Sequence, residues 1–235
     1  MKAKTKNVLT ACVALALVAC AVLGTIAYMT ATSDKTNEFT VGKFDHPTTD
    51  PENPDKTLDP ELDGYILEKK WDAATEHKLV PGNTLDKDPR IGIGKGSEDA
   101  YVYAFVKNGM ASNTGDTDTV IRDGSVYFAL NEGWSFVSVD GVDYKKLTVD
   151  GKDYYTGGLF KYNTKLSAGT ADAWTGTVFD SVVCGKDMNT AAMAGSSDNN
   201  IVVSAYIHQA TDGNGSDLAT TAETAAKAWA AELVK

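Results

Sequence analysis

Short apolar runs separated by turn residues recur along the chain after residue 64, and this spacing limits the fold more than any other feature. Gly, Asn or Asp stands between successive runs, so the chain can reverse direction after each one. The pattern is typical of an antiparallel β-sandwich or barrel and predicts an all-β domain over residues 65–235. The runs, in order, are GYILEKKW, RIGIG, AYVYAFVKN, SVYFALN, WSFVSVDG, YKKLTVDG, DYYTGGLFKYN, TGTVFDSVVCG and NNIVVSAYIHQ.

One of these runs, AYVYAFVKN, has apolar side chains on both faces. Alternate residues of a strand point to opposite sides of a sheet. A strand that is apolar on both sides must be covered on both sides, so we predict that this run is a central strand. One face carries Tyr101, Tyr103 and Phe105, and the other carries Val102, Ala104 and Val106.

Two Asp-Gly pairs stand ten residues apart, in VDGVDYK at 139–145 and VDGKDYY at 149–155. Asp-Gly favours the positive φ angles of tight hairpin turns. We therefore predict two successive hairpins in this region.

The end of the chain, TTAETAAKAWAAELVK, changes to a helical period. Its apolar residues recur on one helical face, and Thr220 and Glu223 have the spacing of a capping box. We predict one short C-terminal helix, with Trp229 packed onto the sheet.

The first 27 residues have the layout of a secretory signal helix. Three lysines precede an uncharged apolar stretch, 8–27, and small residues at its end predict cleavage between Ala27 and Tyr28. The chain is then secreted. Two alternatives remain: a retained anchor, since about 20 apolar residues can span a bilayer, and a lipid-modified Cys20 in the tetrad LVAC.

Composition limits the partners of the mature protein. The chain has 22 basic and 32 acidic residues; without the three signal lysines the balance is 19 to 32, a net charge near −13. Such a surface repels nucleic acid and anionic lipid. Cleavage also leaves Cys184 as the single cysteine, so no intrachain disulfide can form, and its apolar run predicts a buried thiol.

Two segments separate the signal from the sandwich domain. Residues 28–44 are rich in β-favouring residues and predict an N-terminal strand. Residues 45–64 hold four of the six prolines and seven acidic residues against one lysine. This composition predicts an extended acidic loop that contributes nothing to the core.

Three blocks of sequence carry a resemblance to a known family. They are LGTIAYMTATSDKTNEFTVGKF; then ILEKKWD with LVPGNTLDKDPRIGIGKGSEDAYVYAFV; and NNIVVSAYIHQA with AKAWA. Within the middle block the matching elements are Glu68 with Trp71-Asp72, Pro81-Gly82, Lys87-Asp88-Pro89 and Ala100-Tyr101-Val102. In this order the blocks resemble the camelysin/TasA-like group, which Gram-positive bacteria export through a dedicated signal peptidase.

The resemblance implies a jelly-roll-like sandwich that is exported and assembled into fibres of the cell surface or biofilm matrix. The implied partners are further copies of the chain, the dedicated signal peptidase during export, and other matrix or surface proteins. The acidic insertion at 45–64 departs from the short link usual in the group, which leaves the pairing of the first strand open.

Cleavage frees the N-terminal strand, which can then add to an open sheet edge of a neighbour through main-chain hydrogen bonds. The length of the acidic loop favours this exchange, because its chain of about 20 residues, when extended, spans some tens of ångströms. The alternative is that the strand completes its own sheet, at a smaller entropy cost. The candidate donor positions are Tyr28, Thr30, Thr32, Phe39 and Val41.

Catalysis is not expected, although one namesake of the group is described as a metallopeptidase. The histidines are His46, His77 and His208, and no His-Glu-x-x-His pair is present. We predict no catalytic residues and no resident metal. A metal-dependent surface protease is one alternative function, and a monomeric adhesin that binds through the aromatic residues of DYYTGGLFKY is another.

Calcium is the cofactor alternative, because DGNGSDLATTAE matches the oxygen ligand spacing of a calcium loop. The candidate ligands are Asp212, Asn214, Ser216 and Glu223. The sixth position is Asp217 instead of glycine, and no helix precedes the loop, so an EF-hand is excluded. Our preferred interpretation is a polar turn that leads into the C-terminal helix.

Overall fold

The computed structural model describes residues 30–33, 37–38, 44–59, 65–70, 79–189 and 199–235. It is mostly β-sheet, arranged in several antiparallel sheets with few helices, which confirms the all-β prediction. The predicted signal, 1–27, and its cleavage site between Ala27 and Tyr28 lie outside the described residues. No helix of the described residues is long and apolar enough to span a membrane.

The elements follow one another in chain order. The strands are β1 (Thr30–Ser33), β2 (Asn37–Glu38), β3 (Thr49–Asp50), β4 (Asn53–Thr57), β5 (Ile66–Leu67), β6 (Thr84–Asp86), β7 (Arg90–Ile93), β8 (Ala100–Asn108), β9 (Val126–Tyr127), β10 (Trp134–Val137), β11 (Lys146–Val149), β12 (Lys152–Tyr155), β13 (Gly158–Tyr162), β14 (Ala173–Trp174), β15 (Ser181–Cys184) and β16 (Ile201–Gln209). The helices are α1 (Asp118–Asp123) and α2 (Ala219–Glu232).

The largest sheet has six strands in the order β10-β13-β8-β16-β1-β2, all paired antiparallel. β8 and β16 pair along nine residues each, from Ala100↔Gln209 to Asn108↔Ile201. The prediction that AYVYAFVKN is a central strand is confirmed, because β8 lies between β13 and β16.

One face of this sheet builds the main core. The even positions of β8 and the odd positions of β16 point to the same side, where they meet side chains of the smaller sheets β14-β7-β5 and β6-β15-β9. The fully buried members include Ile91, Ile93, Val102, Phe128, Phe160, Phe179 and Ile207.

The other face of the sheet is covered by α2. Alanines at 222, 226 and 230 are buried, and their spacing of four residues places them on one side of the helix. They pack over Tyr103, Phe105 and Tyr206, and Trp229 lies edge-on to Phe105 with 6.2 Å between ring centroids. The predicted C-terminal helix and the packing of Trp229 onto the sheet are therefore confirmed.

The start of α2 differs from the predicted capping box. The residue before the first helical turn is Leu218, whose own side chain makes no capping hydrogen bond. Glu223 instead forms ion pairs with Lys161 and Lys227, which draw its carboxylate away from the helix start. Asp217 takes over part of the cap, since its Oδ1 accepts a hydrogen bond of 2.9 Å or shorter from each of Tyr101 Oη and Ala219 N.

One of the two predicted hairpins is present. Asp150 and Gly151 have φ of 54° and 75° and join β11 to β12. At the other Asp-Gly pair only Gly141 has a positive φ, 79°, so the chain makes a turn between β10 and β11 but no hairpin. A tight hairpin turn of this kind needs positive φ at both residues.

Residues 44–58 form a segment that we call the strap. The sequence predicted an extended acidic loop over 45–64 that contributes nothing to the core, whereas the strap contains the hairpin β3-β4 and buries Leu58, which is 2% exposed. Phe44, at the end of the predicted N-terminal strand, is 5% exposed. Phe44 belongs to the main core. The difference arises because particular side chains of the body hold the strap, in contacts described below, and composition does not report them.

Candidate functional site

The predicted donor strand leads to one edge of the six-stranded sheet. β1 pairs antiparallel with β16, from Thr30↔His208 to Ser33↔Ala205, and β2 pairs with β1. Of the donor positions, Thr30 and Thr32 are opposite His208 and Tyr206, and Tyr28, Phe39 and Val41 lie outside the described residues. Within this single chain, the described part of the segment completes its own sheet.

β16 is a fully paired and packed acceptor for such a strand. It is paired with β8 along all nine of its residues, and both of its faces are packed, against the main core on one side and below α2 on the other. Among the described residues, β1 covers four residues of its free edge, 205–208. The described ladder between β1 and β16 is therefore short compared with the ladder between β8 and β16.

The strap follows β1 and β2 in the sequence. One set of contacts that holds it is made by the carboxylate of Asp172. Backbone N–H and hydroxyl groups of both Thr48 and Thr49 donate to its Oδ2 over 2.6–3.3 Å. Lys95 N donates to Oδ1 over 2.8 Å. One carboxylate thus joins the strap to two loops of the body. Burial raises the pKa of Asp172, but the N–H groups of Thr48 and Lys95 outweigh it and hold that pKa below its usual value.

A second set of contacts holds the beginning of the strap by its backbone. Asp45 N donates to Ser97 Oγ over 2.9 Å, and Asp45 O accepts from Gly94 N over 2.5 Å. Tyr65 Oη donates to Phe44 O over 2.7 Å. A Cβ on Gly94 would lie 2.3 Å from the carbonyl oxygen of His46, so only glycine permits this approach.

A third set of contacts is ionic. Lys69 Nζ lies 3.0 Å from Asp50 and 3.1 Å from Glu52, and Arg90 Nη2 lies 2.5 Å from Glu52. These cations lower the pKa of Glu52. Burial raises the pKa of Asp50, but the backbone N–H of Glu52 and the ammonium of Lys69 have a larger opposite effect. The pKa of Asp50 is therefore below its usual value. Both acids are more stable as carboxylates in the folded protein than in the unfolded chain.

These shifts predict a loss of stability in acid. The pKa of Asp217 falls to about 2, because Lys165, Ala219 N and Tyr101 bind its carboxylate, and the pKa values of Asp50, Glu52 and Asp172 are also lowered. A group whose pKa is lower in the folded protein stabilises the fold at pH values above its unfolded-state pKa. That stabilisation is lost as the pH falls through the folded-state pKa. We expect the free energy of unfolding in urea to decrease between pH 4 and pH 2, less steeply in Asp217→Asn. A free energy that is constant over this interval would contradict the assignment.

His46 and His208 have separate structural surroundings. His46 stacks on Tyr65 with 4.1 Å between ring centroids. His208 is buried on β16, where Nδ1 lies 2.8 Å from Gln209 O and burial lowers its pKa. His77 lies outside the described residues. Among the described residues, no group of three or more His, Cys, Asp or Glu side chains is arranged to hold a metal.

The structure gives the candidate calcium ligands different partners. Asp212 Oδ1 accepts from Asn214 N and Ser216 N over 2.9 Å and 2.8 Å, which closes a tight turn. Glu223 Oε1 is 2.9 Å from Lys227, and its Oε2 is 3.5 Å from Lys161. Asp212 and Glu223 thus have separate partners here, a turn and a pair of lysines.

The aromatic residues of DYYTGGLFKY take part in packing. Tyr155 and Phe160 are buried in the main core, Tyr162 packs on Trp134, and Tyr154 lies edge-on to Tyr127. Cys184 is also buried, as its apolar run predicts, and burial raises the pKa of its thiol.

Sequence reasoning did not identify the residues that hold the strap. Asp172 is an isolated acid 124 residues from Thr48, and Gly94 belongs to a glycine-rich run with no recognisable motif. The one available signal was a pair of apolar residues, Phe44 just before the acidic segment and Leu58 within it. No family model matches the chain, and neither does any curated protein or solved structure.

Proposed function

We propose that the chain is a secreted structural subunit of the cell surface or biofilm matrix, a jelly-roll-like β-sandwich that assembles into fibres by exchanging its N-terminal strand. The observation that carries this proposal is the short ladder between β1 and β16 at the edge of the six-stranded sheet. The main alternative remains the closed monomer, in which β1 stays on its own β16.

Exchange requires no new kind of contact. When β1 of one copy replaces β1 of the next, the same four residues of β16 find the same main-chain partners. The two arrangements therefore have nearly equal hydrogen-bond energies, and tether length and protein concentration decide between them. Donation in one direction from each copy to the next produces an open chain, which is a fibre.

Export sets the order of events in this proposal. While the signal is attached, the residues that follow it are held at the membrane, so the strand cannot reach a neighbour. Removal of residues 1–27 by the dedicated signal peptidase frees the strand outside the cell. The net charge near −13 of the mature chain then opposes unspecific aggregation and leaves the paired edge as the specific contact.

A proline in β1 tests the proposal. Thr32 pairs with Tyr206 on one side and with Glu38 on the other, so its N–H faces a partner strand whichever way it points. We expect the chain that begins at Tyr28 to form fibres under the electron microscope and Thr32→Pro to form none, because proline lacks that N–H.

The matched control is Thr32→Val, which keeps the N–H and a β-branched side chain and should assemble like the parent. Both variants must show the parent's thermal unfolding transition to within the small contribution of one edge strand. Fibres of Thr32→Pro, or a parent chain that stays monomeric at all concentrations, would refute the proposal.

A further inference from the structure

We infer that the strap regulates strand exchange by setting the length of the tether that links β1 and β2 to the body. The inference rests on the proposed function and adds a control element to it. β2 ends at Glu38 and the strap begins at Phe44, so only five residues separate them when the strap is attached. Over that length the extended chain spans about 20 Å.

Attachment shortens the reach that the sequence alone suggested. The acidic segment 45–64 would act as a long tether only if it were free, but its first part is fixed at three places. These are the carboxylate of Asp172, the backbone contacts at Gly94 and Ser97, and the ion pairs of Lys69 and Arg90. A short tether favours pairing of β1 with its own β16.

Release of the strap adds its 15 residues, 44–58, to the five that precede it, so the tether grows from five residues to 20. The local concentration of a tethered strand falls as about the −3/2 power of tether length. A change from five to 20 residues lowers the concentration of β1 at its own edge by on the order of tenfold. Exchange with a neighbour should then begin at a protein concentration about tenfold lower.

Two residues of the body give independent means to release the strap. Gly94→Ala places a methyl group 2.3 Å from His46 O, which forces the strap away from the end of β7. Asp172→Asn puts an NH₂ group among the N–H donors of Thr48, Thr49 and Lys95, where two carboxylate oxygens accept at present. Neither residue belongs to β1, β2 or β16, so the exchanging ladder is left unchanged.

Each substitution has a matched control elsewhere in the chain. Gly213→Ala adds the same methyl group where no atom lies within 4 Å. Asp153→Asn removes the same charge from β12, where the carboxylate pairs with Lys146 and Thr148. Both controls should leave the strap attached.

The test uses the chain that begins at Tyr28, with both substitutions combined in Gly94→Ala/Asp172→Asn, and compares it with Gly213→Ala/Asp153→Asn. Hydrogen exchange of the amides of Asp45, Thr48 and Thr49 reports strap attachment, because all three donate to the body. Light scattering over a concentration series reports the onset of assembly. We expect loss of protection and an onset about tenfold lower in the first variant only.

The outcomes separate this inference from the proposed function. If protection is lost while the onset is unchanged, the regulatory role of the strap is wrong. If protection persists in the double variant, Gly94 and Asp172 do not hold the strap and the inference fails at its premise. The proposed function stands in both cases. If Thr32→Pro assembles as well as the parent chain does, the proposed function itself fails. An onset that also falls in the control variant would assign the effect to general destabilisation and contradict the strap's role.

Discussion

Phe128→Ala is expected to lower the free energy of unfolding by about 3–5 kcal/mol, the usual cost of a large buried ring. Phe128 is fully buried, and its ring centroid lies 4.4 Å from that of Phe179 and 5.6 Å from that of Phe160. It also exchanges backbone hydrogen bonds of 3.0 Å and 2.9 Å with Tyr155. The ring thus lies where the six-stranded sheet meets the rest of the main core.

Equilibrium unfolding in urea measures this effect, and the melting temperature should fall by on the order of 10 °C. Val120→Ala is the control, because Val120 is 53% exposed on α1 and its truncation should change stability by about 0.5 kcal/mol or less. A decrease of less than about 1 kcal/mol in the free energy of unfolding of Phe128→Ala would show that this aromatic cluster does not stabilise the main core.

Periodicity alone predicted the centre of the sheet. Strict alternation of aromatic and small apolar residues along β8 requires cover on both faces, and the structure supplies it with the smaller sheets and with α2. The same reasoning identified α2, because its alanines recur at helical spacing. These predictions succeed because the physical cause lies within the segment itself.

Local turn chemistry was less reliable. Both Asp-Gly pairs permit a hairpin, but Asp150 adopts a positive φ and Asp140 does not. Strand pairing on either side decides which conformation is adopted, and that pairing depends on residues distant in sequence. The same limit applies to the cap of α2, because Lys161 of β13, which pairs with Glu223, is distant from it in sequence.

The strap shows where composition misleads. A segment rich in proline and acid predicts an extended loop, yet residues from three other parts of the chain fix it, namely Lys69, then Arg90 with Gly94, and Asp172. Each of these contacts joins residues far apart in sequence. No local pattern encodes such contacts, so the strap and its proposed role became visible only in three dimensions.

The second prediction concerns which chain supplies β1, and its expected result is all-or-none. Ser33 and Ala205 are opposite each other in the ladder between β1 and β16. Opposite residues of antiparallel strands have Cα atoms about 4.5–5.5 Å apart, within the range that a disulfide spans. Ser33→Cys/Ala205→Cys, made with Cys184→Ala to remove the buried native thiol, therefore links whichever two strands are paired.

The most direct measurement is a non-reducing gel of fibres that form from this reduced chain, beginning at Tyr28, and are then oxidised. Strand exchange predicts a ladder of covalent oligomers that collapses to a single chain on reduction, while Ser33→Cys/Cys184→Ala shows no ladder because residue 205 stays alanine. Fibres that yield only disulfide-closed monomers would show that each β1 stays on its own β16 and would contradict assembly by strand exchange.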